Sequence, residues 1–307
     1  MRLAFLGTPN FAGPTLEGLI EAGHEVAAVV TQPDRPKGRS LQPAPSPVKQ
    51  VALRHGLPVY QPERIRRPEA VDYLATLRTE VMAVVGYGQI IPQKIIDLPP
   101  HGIINVHASL LPKYRGAAPI QWAVVNGETR TGVTTMRIDA GLDTGDMLLA
   151  AETEIGPDED ALALGERLAV MGAGLLVRTL AEMPPGIPQD SAAATYAPIL
   201  KKEDGLIDWS WPAQVVHNRV RGLLPWPGAY TTFRGRLLHI WKARPASDSG
   251  RPGSIWRSHR RVIAGCGGNT ALELLEVQLE GKGKIPAEAF ANGQRLTEND
   301  TLGEKAL

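Results

Sequence analysis

Short apolar runs alternating with helically spaced stretches constrain this chain more than anything else in its sequence. The runs are RLAFLG from Arg2 to Gly7, EVAAVVT from Glu25 to Thr31, VMAVV from Val81 to Val85 and GIINV from Gly102 to Val106. Leu16, Leu19 and Ile20 recur at helical spacing between the first two, and amphipathic stretches near Pro47–Arg54 and Glu69–Leu77 precede the third. Runs this short and this uniformly apolar read as strands buried on both faces, and their alternation with helices predicts a parallel, helix-covered sheet. Ligands of such sheets sit beyond the carboxyl ends of the strands, so the segments after those ends are where chemistry is sought.

The first of these segments, GTPNFAG at Gly7–Gly13, departs from the dinucleotide fingerprint G-x-G-x-x-G because Pro9 stands where the second glycine belongs, which argues against a nicotinamide cofactor. The second, Gln32–Lys49, carries prolines at 33, 36, 43, 45 and 47, and holds Arg35, Lys37, Arg39 and Lys49 against Asp34 alone. It is predicted as a long loop of polyproline character, either functional or a surface excursion without a partner. Asp158–Leu180 reads as one long helix, which MPPGIPQD breaks at Pro184 and Pro185. Past Lys201 short segments rich in Trp, Gly and β-branched residues, such as GAYTTFRG, LLHIWKA and GSIW, predict the strands of a small barrel. We therefore expect a catalytic domain over residues 1–188, a linker over 189–204 and a second domain over 205–307.

Formal net charge is only +1, yet from Lys201 onward sixteen Lys and Arg face eleven Asp and Glu. Between Arg219 and Arg261 ten basic residues face the single acid Asp248. Such a stretch attracts phosphates by releasing their counterions, and it equally fits a solvated basic surface. The single cysteine, Cys266, rules out an internal disulfide and suits a reducing compartment. The opening MRLAFLGTPNF has too brief an apolar run for a signal segment or a membrane span, so a cytoplasmic protein without a membrane partner is expected.

The stretch GIINVHASLLPKYRGAAPIQWAVVNGE, Gly102–Glu128, together with DAGLDTGD, Asp139–Asp146, carries the most chemistry. Alternate side chains of a strand share a face, so Asn105 and His107 project together at a strand's carboxyl end. Taken alone, His107 fits a structural role, and Asp143 fits a turn-forming acid between Gly141 and Gly145. Taken jointly, SLLPKYRGAAP and GLDTGD resemble the folate-dependent formyltransferase family, and the order Asn105, His107, Asp143 matches that family's catalytic trio. FLGTPNFA, the basic loop, YGQIIP at Tyr87–Pro92, KKEDGLIDW and PWPGAYT extend the resemblance over nearly the whole chain and point to the branch that formylates methionyl initiator tRNA.

The resemblance implies an α/β fold, with a Rossmann-like, mostly parallel sheet carrying helices on both faces, followed by a small OB-like β-barrel domain. It implies transfer of the formyl group of 10-formyltetrahydrofolate to the free amino group of methionine on charged initiator tRNA, by a monomer and without a metal. Asn105, His107 and Asp143 would be catalytic, and Ser109, Leu110, Leu111 and Pro112 would bind folate, with Pro9, Tyr87, Gly88, Ile90 and Pro92 bordering the cleft. Arg35, Lys37 and Arg39 would bind tRNA, Arg39 decisively, while the basic C-terminal domain tracks phosphates. Tyr114 and Arg115 are expected either to assist or to lie exposed. A formyltransferase acting on an amino-sugar nucleotide is the alternative, and the basic loop favours tRNA over it. One departure stands out: Leu224-Pro225-Trp226-Pro227 replaces the family's Asn-Pro-Trp-Pro.

Overall fold

The computed structural model describes residues 1–37 and 42–304, and the chain divides into two units. The first comprises Met1–Pro119, Arg130–Glu154 and Gly165–Ala197. Its sheet contains β1 (Arg2–Gly7), β2 (Glu25–Val30), β3 (Val59–Tyr60), β4 (Val81–Val85), β5 (Ile103–His107), β6 (Arg130–Arg137) and β7 (Met147–Glu154), in the order β7-β6-β5-β4-β1-β2-β3. The strands from β3 across to β5 are parallel, β6 runs antiparallel to β5, and β7 antiparallel to β6. The sheet therefore grows outward from β1 through β2, then restarts at β4 on its other side. This places the loops after β1 and β4 side by side at a topological switch point.

Side-chain alternation covers both faces. Leu3, Phe5, Val81, Ala83, Val85, Ile104 and Val106 pack with α1 (Gly13–Glu21), α2 (Pro47–Arg54) and the far half of a long helix, Ala161–Glu182. Ala4, Leu6, Met82, Val84 and Ile103 pack on the opposite side with Leu74 of α3 (Pro68–Thr76) and Ile95 of α4 (Gln93–Ile96). Each fully buried aliphatic side chain contributes roughly 1.5–3 kcal/mol, so a one-residue slip in register would forfeit several such terms at once.

The proline-rich excursion is a short hairpin, Arg35–Lys37 against Gln42–Ala44, where polyproline character was expected. Pro36 faces Pro43, with Arg35 opposite Ala44 and Lys37 opposite Gln42. Alternate pairs of an antiparallel ladder exchange no backbone hydrogen bonds, and two residues without N–H groups fit that middle position.

The second unit comprises Ile120–Thr129, Ile155–Leu164 and Pro198–Leu307. Its strands are β8 (Ala229–Phe233), β9 (Arg236–Ala246), β10 (Ile255–Ser258), β11 (Arg261–Cys266), β12 (Thr270–Leu279) and β13 (Ile285–Pro286). They form an antiparallel sheet in the order β8-β9-β12-β11-β10, with β13 on β12. Leu302 bridges to Phe233 on one edge strand and Thr301 to Ser254 beside the other. One segment thus joins both edges, the closure that suits a small barrel. Phe233, Leu238, Ile240, Val262, Leu272, Leu274 and Val277 fill it beneath Val216 and Val220 of the helix Ala213–Gly222 and Phe290 of Ala287–Gly293. Among the described residues no helix is long and apolar enough to cross a membrane.

The segment expected as a linker over 189–204 is divided between the units at Ala197 and Pro198. Its first part is held in place: Tyr196–Ala197 pairs in parallel with Arg115–Gly116, and Thr195 Oγ1 accepts the N–H of Tyr114 at 2.8 Å.

Candidate active site

Asn105 and His107 follow Ile103 on one face of β5, where the strand meets the loops of the switch point. Both are buried, 9% and 6% exposed. The ring of His107 is fixed from behind, because its Nε2 lies 2.9 Å from the Tyr114 carbonyl oxygen. A carbonyl only accepts, so Nε2 carries a hydrogen and Nδ1 is the ring atom left to gain or release a proton. Nδ1 lies 3.8 Å from Oδ2 of Asp143, close enough for an ion pair when the ring is protonated. The Asn105 amide has no partner among the described residues, which leaves its donors for a ligand.

Asp143 sits at φ +52°, a left-handed conformation in which most side chains are strained. Three contacts hold it there. The Gly116 N–H donates to Oδ2 at 2.8 Å, and Gln189 Nε2 donates to the carbonyls of Asp143 and Gly145 at 2.8 and 2.7 Å. Gln189 is itself gripped by Arg115, whose Nε and Nη2 donate to its Oε1 at 3.1 and 2.8 Å. The flanking glycines are required by close approach: a Cβ at Gly145 would collide with the Arg137 carbonyl oxygen, and one at Gly141 with Thr144 Oγ1.

The Ser109–Pro112 turn is pinned by Thr134 of β6, whose Oγ1 donates to the Ser109 carbonyl at 2.7 Å and accepts from the Leu111 N–H at 3.2 Å. Ser109 and Leu111 are buried, with Ser109 Oγ donating to the Lys113 carbonyl, while Leu110 and Pro112 stay half-buried and able to face a ligand. On the neighbouring loop Ile90 is 91% exposed, and Pro9 lies against Gly86 across the switch point. Tyr87 is buried in the core cluster beneath this loop, its hydroxyl without a partner among the described residues, and burial raises its pKa. It supports the cleft from below.

The structure narrows two readings that the sequence left open. Tyr114 and Arg115 are not exposed but 8% and 3% accessible, the first holding His107 through its carbonyl and the second holding Gln189. The basic stretch Arg219–Arg261 is largely occupied. Arg234 pairs with Asp300, Arg244 with Glu273 and Arg261 with Asp248, and Arg236 donates to the Glu280 carbonyl. Arg257 donates to Asn292, Arg219 lies over the Trp211 ring, and Arg221 is buried against Asn218. Lys242, Arg251 and Arg260 remain exposed without a partner among the described residues. In the hairpin Arg35 is exposed; Arg39 lies outside the described residues, and of Lys37 only the backbone pairing is described.

Sequence reasoning missed Gln189, Thr134 and Thr195. Gln189 lies 46 residues from Asp143, in a segment marked only by its prolines, and no spacing rule connects the two.

The family description "Formyl transferase" matches residues 1–180, and "Formyl transferase, C-terminal domain" matches 199–295. A methionyl-tRNA formyltransferase from Solibacter usitatus is 67% identical over the full length of both chains, and one from Koribacter versatilis is 56% identical over 99% of each. Among solved structures, WlaRD, a sugar 3N-formyl transferase crystallised with dTDP and 5-N-formyl-THF, superposes with a TM-score of 0.67 at 17% identity, covering 92% of this chain and 99% of that one. HypX from Aquifex aeolicus in complex with tetrahydrofolic acid superposes with a TM-score of 0.64 at 17% identity, covering 95% and 47%. With both domain types matched in order and full-length relatives at more than half identity, the chain belongs to the formyl transferase family, in its methionyl-tRNA formyltransferase branch.

Proposed function

We propose that the protein transfers the formyl group of 10-formyltetrahydrofolate directly to the α-amino group of methionine on charged initiator tRNA, as a cytoplasmic monomer, at a site built by Asn105, His107 and Asp143. The observation that carries this reading is the pinned imidazole, with Nε2 on a carbonyl and Nδ1 turned to a carboxylate 3.8 Å away.

The donor brings a formyl carbon bonded to a folate nitrogen. Half-buried Leu110 and Pro112 and exposed Ile90 offer it an apolar wall, and the Asn105 amide, without a partner among the described residues, offers a donor to the formyl oxygen. As the amine attacks, Asn105 stabilises the negative charge gathering on that oxygen. Asp143 takes the proton shed by the amine, directly or through water: Oδ2 is engaged by Gly116 and faces His107, which leaves Oδ1 for this role. His107, protonated at Nδ1, supplies a proton to the departing nitrogen. One proton leaves the amine and one reaches the folate, so the exchange balances.

For the acceptor, the relatives' names and the exposed Arg35 on its hairpin support tRNA over an amino sugar. The test supplies folate carrying a labelled formyl group to the protein with charged initiator tRNA, charged elongator tRNA or an amino-sugar nucleotide. Label on the initiator tRNA is expected. Label on the sugar alone overturns the acceptor, and release as free formate with every acceptor overturns transfer itself.

A further inference from the structure

Residues 187–197 run across both loops that carry the candidate catalytic pair. At one end Ile187 exchanges backbone hydrogen bonds with Met147, its N–H donating at 2.8 Å and its carbonyl accepting at 2.9 Å. Gln189 follows, donating to the carbonyls of Asp143 and Gly145. At the other end the Thr195 N–H donates to the Pro112 carbonyl at 3.3 Å, the Thr195 carbonyl accepts the Arg115 N–H at 2.8 Å, and Thr195 Oγ1 accepts the Tyr114 N–H at 2.8 Å. The Ala197 carbonyl accepts the Ala117 N–H at 2.9 Å and passes so close that a Cβ on Gly116 would lie 2.7 Å from its oxygen.

Both members of the pair are thereby tied to one segment. Tyr114, whose carbonyl fixes the His107 ring, sits at φ +60°, and Asp143 sits at φ +52°. Each is in the left-handed region that disfavours a side chain, and such conformations persist only where the surroundings hold them. Here Thr195 holds the N–H of the first and Gln189 the carbonyl of the second. Gly116, which donates to Asp143 Oδ2, lies between Arg115 and Ala117, and both of those are bonded to the same segment. The segment gains little apolar burial from these contacts. Ile187, Pro188, Thr195 and Tyr196 are exposed, as are residues 190–193, and among the described residues none from 184 to 196 belongs to either apolar cluster of the unit. Hydrogen bonds formed beside solvent replace bonds to water and add little net stability. What they do supply is direction.

We propose that residues 187–197 act as a strap that sets the separation and aim of His107 and Asp143, with Thr195 and Gln189 as positioning residues for formyl transfer. Thr195 acts on the imidazole through Tyr114, and Gln189 acts on the backbone that carries the carboxylate. Proton transfer needs both side chains in register with one reacting carbon, so a displacement of about 1 Å costs rate rather than affinity. The inference rests on the catalytic reading above.

The test compares wild type with Thr195→Val, Thr195→Ser, Gln189→Glu and the double variant Thr195→Val with Gln189→Glu, measuring kcat and KM for methionyl initiator tRNA, KM for the formyl donor, and thermal midpoint. Thr195→Val keeps the shape of the side chain and removes the acceptor of the Tyr114 N–H; Gln189→Glu keeps a partner for Arg115 and removes the donor to two carbonyls. Each should lower kcat by about 10–100-fold with both KM values within about twofold of wild type. Thr195→Val should melt within about 4 °C of wild type. Thr195→Ser retains the hydroxyl and should hold kcat within about threefold. The loss in the double variant should fall short of the product of the single losses, because both changes displace the same pair. Wild-type kcat in Thr195→Val, an equal fall in Thr195→Ser, or effects confined to KM or to melting overturn the positioning role, and losses that multiply in the double variant overturn a single strap. A wild type that formylates no initiator tRNA overturns the catalytic reading and the strap with it; failure of the strap alone leaves wild-type transfer normal.

Discussion

Replacing Asp143 by asparagine removes one charge from the candidate site while sparing its scaffold. Asparagine tolerates the left-handed conformation that Asp143 adopts at φ +52°, its amide oxygen can still accept the Gly116 N–H, and Gln189 grips the backbone carbonyl rather than the side chain. Stability should therefore be nearly unchanged. Two unit charges 3.8 Å apart attract by about 1 kcal/mol in bulk water and by about 4 kcal/mol at an effective dielectric of 20. His107 and Asp143 side chains are 7% and 19% exposed, which places the pair nearer the second figure. Losing about 3–4 kcal/mol of support for a protonated His107 slows the chemical step by roughly 10²–10³-fold. Losing a proton acceptor has a similar effect, about 10²–10⁴-fold, and the two overlap because they act in one step. Single-turnover transfer of labelled formyl groups should thus slow by about 10²–10⁴-fold, with donor affinity within about threefold of wild type. A variant that keeps turnover within about fivefold would remove the carboxylate from the mechanism.

Gln189→Ala should destabilise the protein by about 2–4 kcal/mol in urea melts, because it strands the buried Arg115 guanidinium and frees two carbonyls; Gln189→Glu should restore the partner of Arg115 yet leave turnover low, and full recovery of turnover would show that the grip on the Asp143 backbone is irrelevant. Asp300, held at a pKa of about 2 chiefly by the hydrogen bond from Arg234, has a folded pKa below its unfolded one. Its contribution is present above about pH 4 and lost as pH falls toward about 2, worth roughly 1–2 kcal/mol after allowing for the half-exposed Arg234. Asp300→Asn should flatten stability against pH across that interval, and an acid profile parallel to wild type would refute the assignment.

The parts of the molecule that were legible in the sequence are those governed by local patterns. Val81–Val85 is a strand to the residue, and the strand expected at Gly102–Val106 runs one residue later, to His107. The long helix, expected over Asp158–Leu180, begins at Ala161 because Asp160 accepts the N–H groups of Leu162 and Ala163, and it runs to Glu182 before Pro184 and Pro185. Strand alternation was enough to put Asn105 and His107 on one face, whereas bringing Asp143 to them took the joint motif. The hairpin was not legible, since proline content signals the lack of backbone donors but not the register that sets Pro36 against Pro43. Gln189 was not legible either, because a donor to a carbonyl 44 residues away leaves no spacing to read.

Charge counting along the chain overstates the charge left unpaired, for a physical reason that carries its own prediction. In an antiparallel sheet, residues distant in sequence stand directly opposite, as Arg244 on β9 does opposite Glu273 on β12, and such pairs cancel charge that a linear count leaves standing. A stretch of ten basic residues would neutralise up to ten phosphates, but among the described residues only Lys242, Arg251 and Arg260 are exposed without partners there. Since each neutralised phosphate steepens the salt dependence of binding by about 0.9 in log–log slope, removing those three together should flatten the slope for initiator tRNA by about 2–3. Arg244→Gln, which removes a cation already matched by Glu273, should change the slope by less than about 0.5 on the same basis. Equal flattening from Arg244→Gln and from each of the three would mean that paired arginines let go of their carboxylates to meet phosphate, and that cross-strand pairing does not decide which charges the RNA sees.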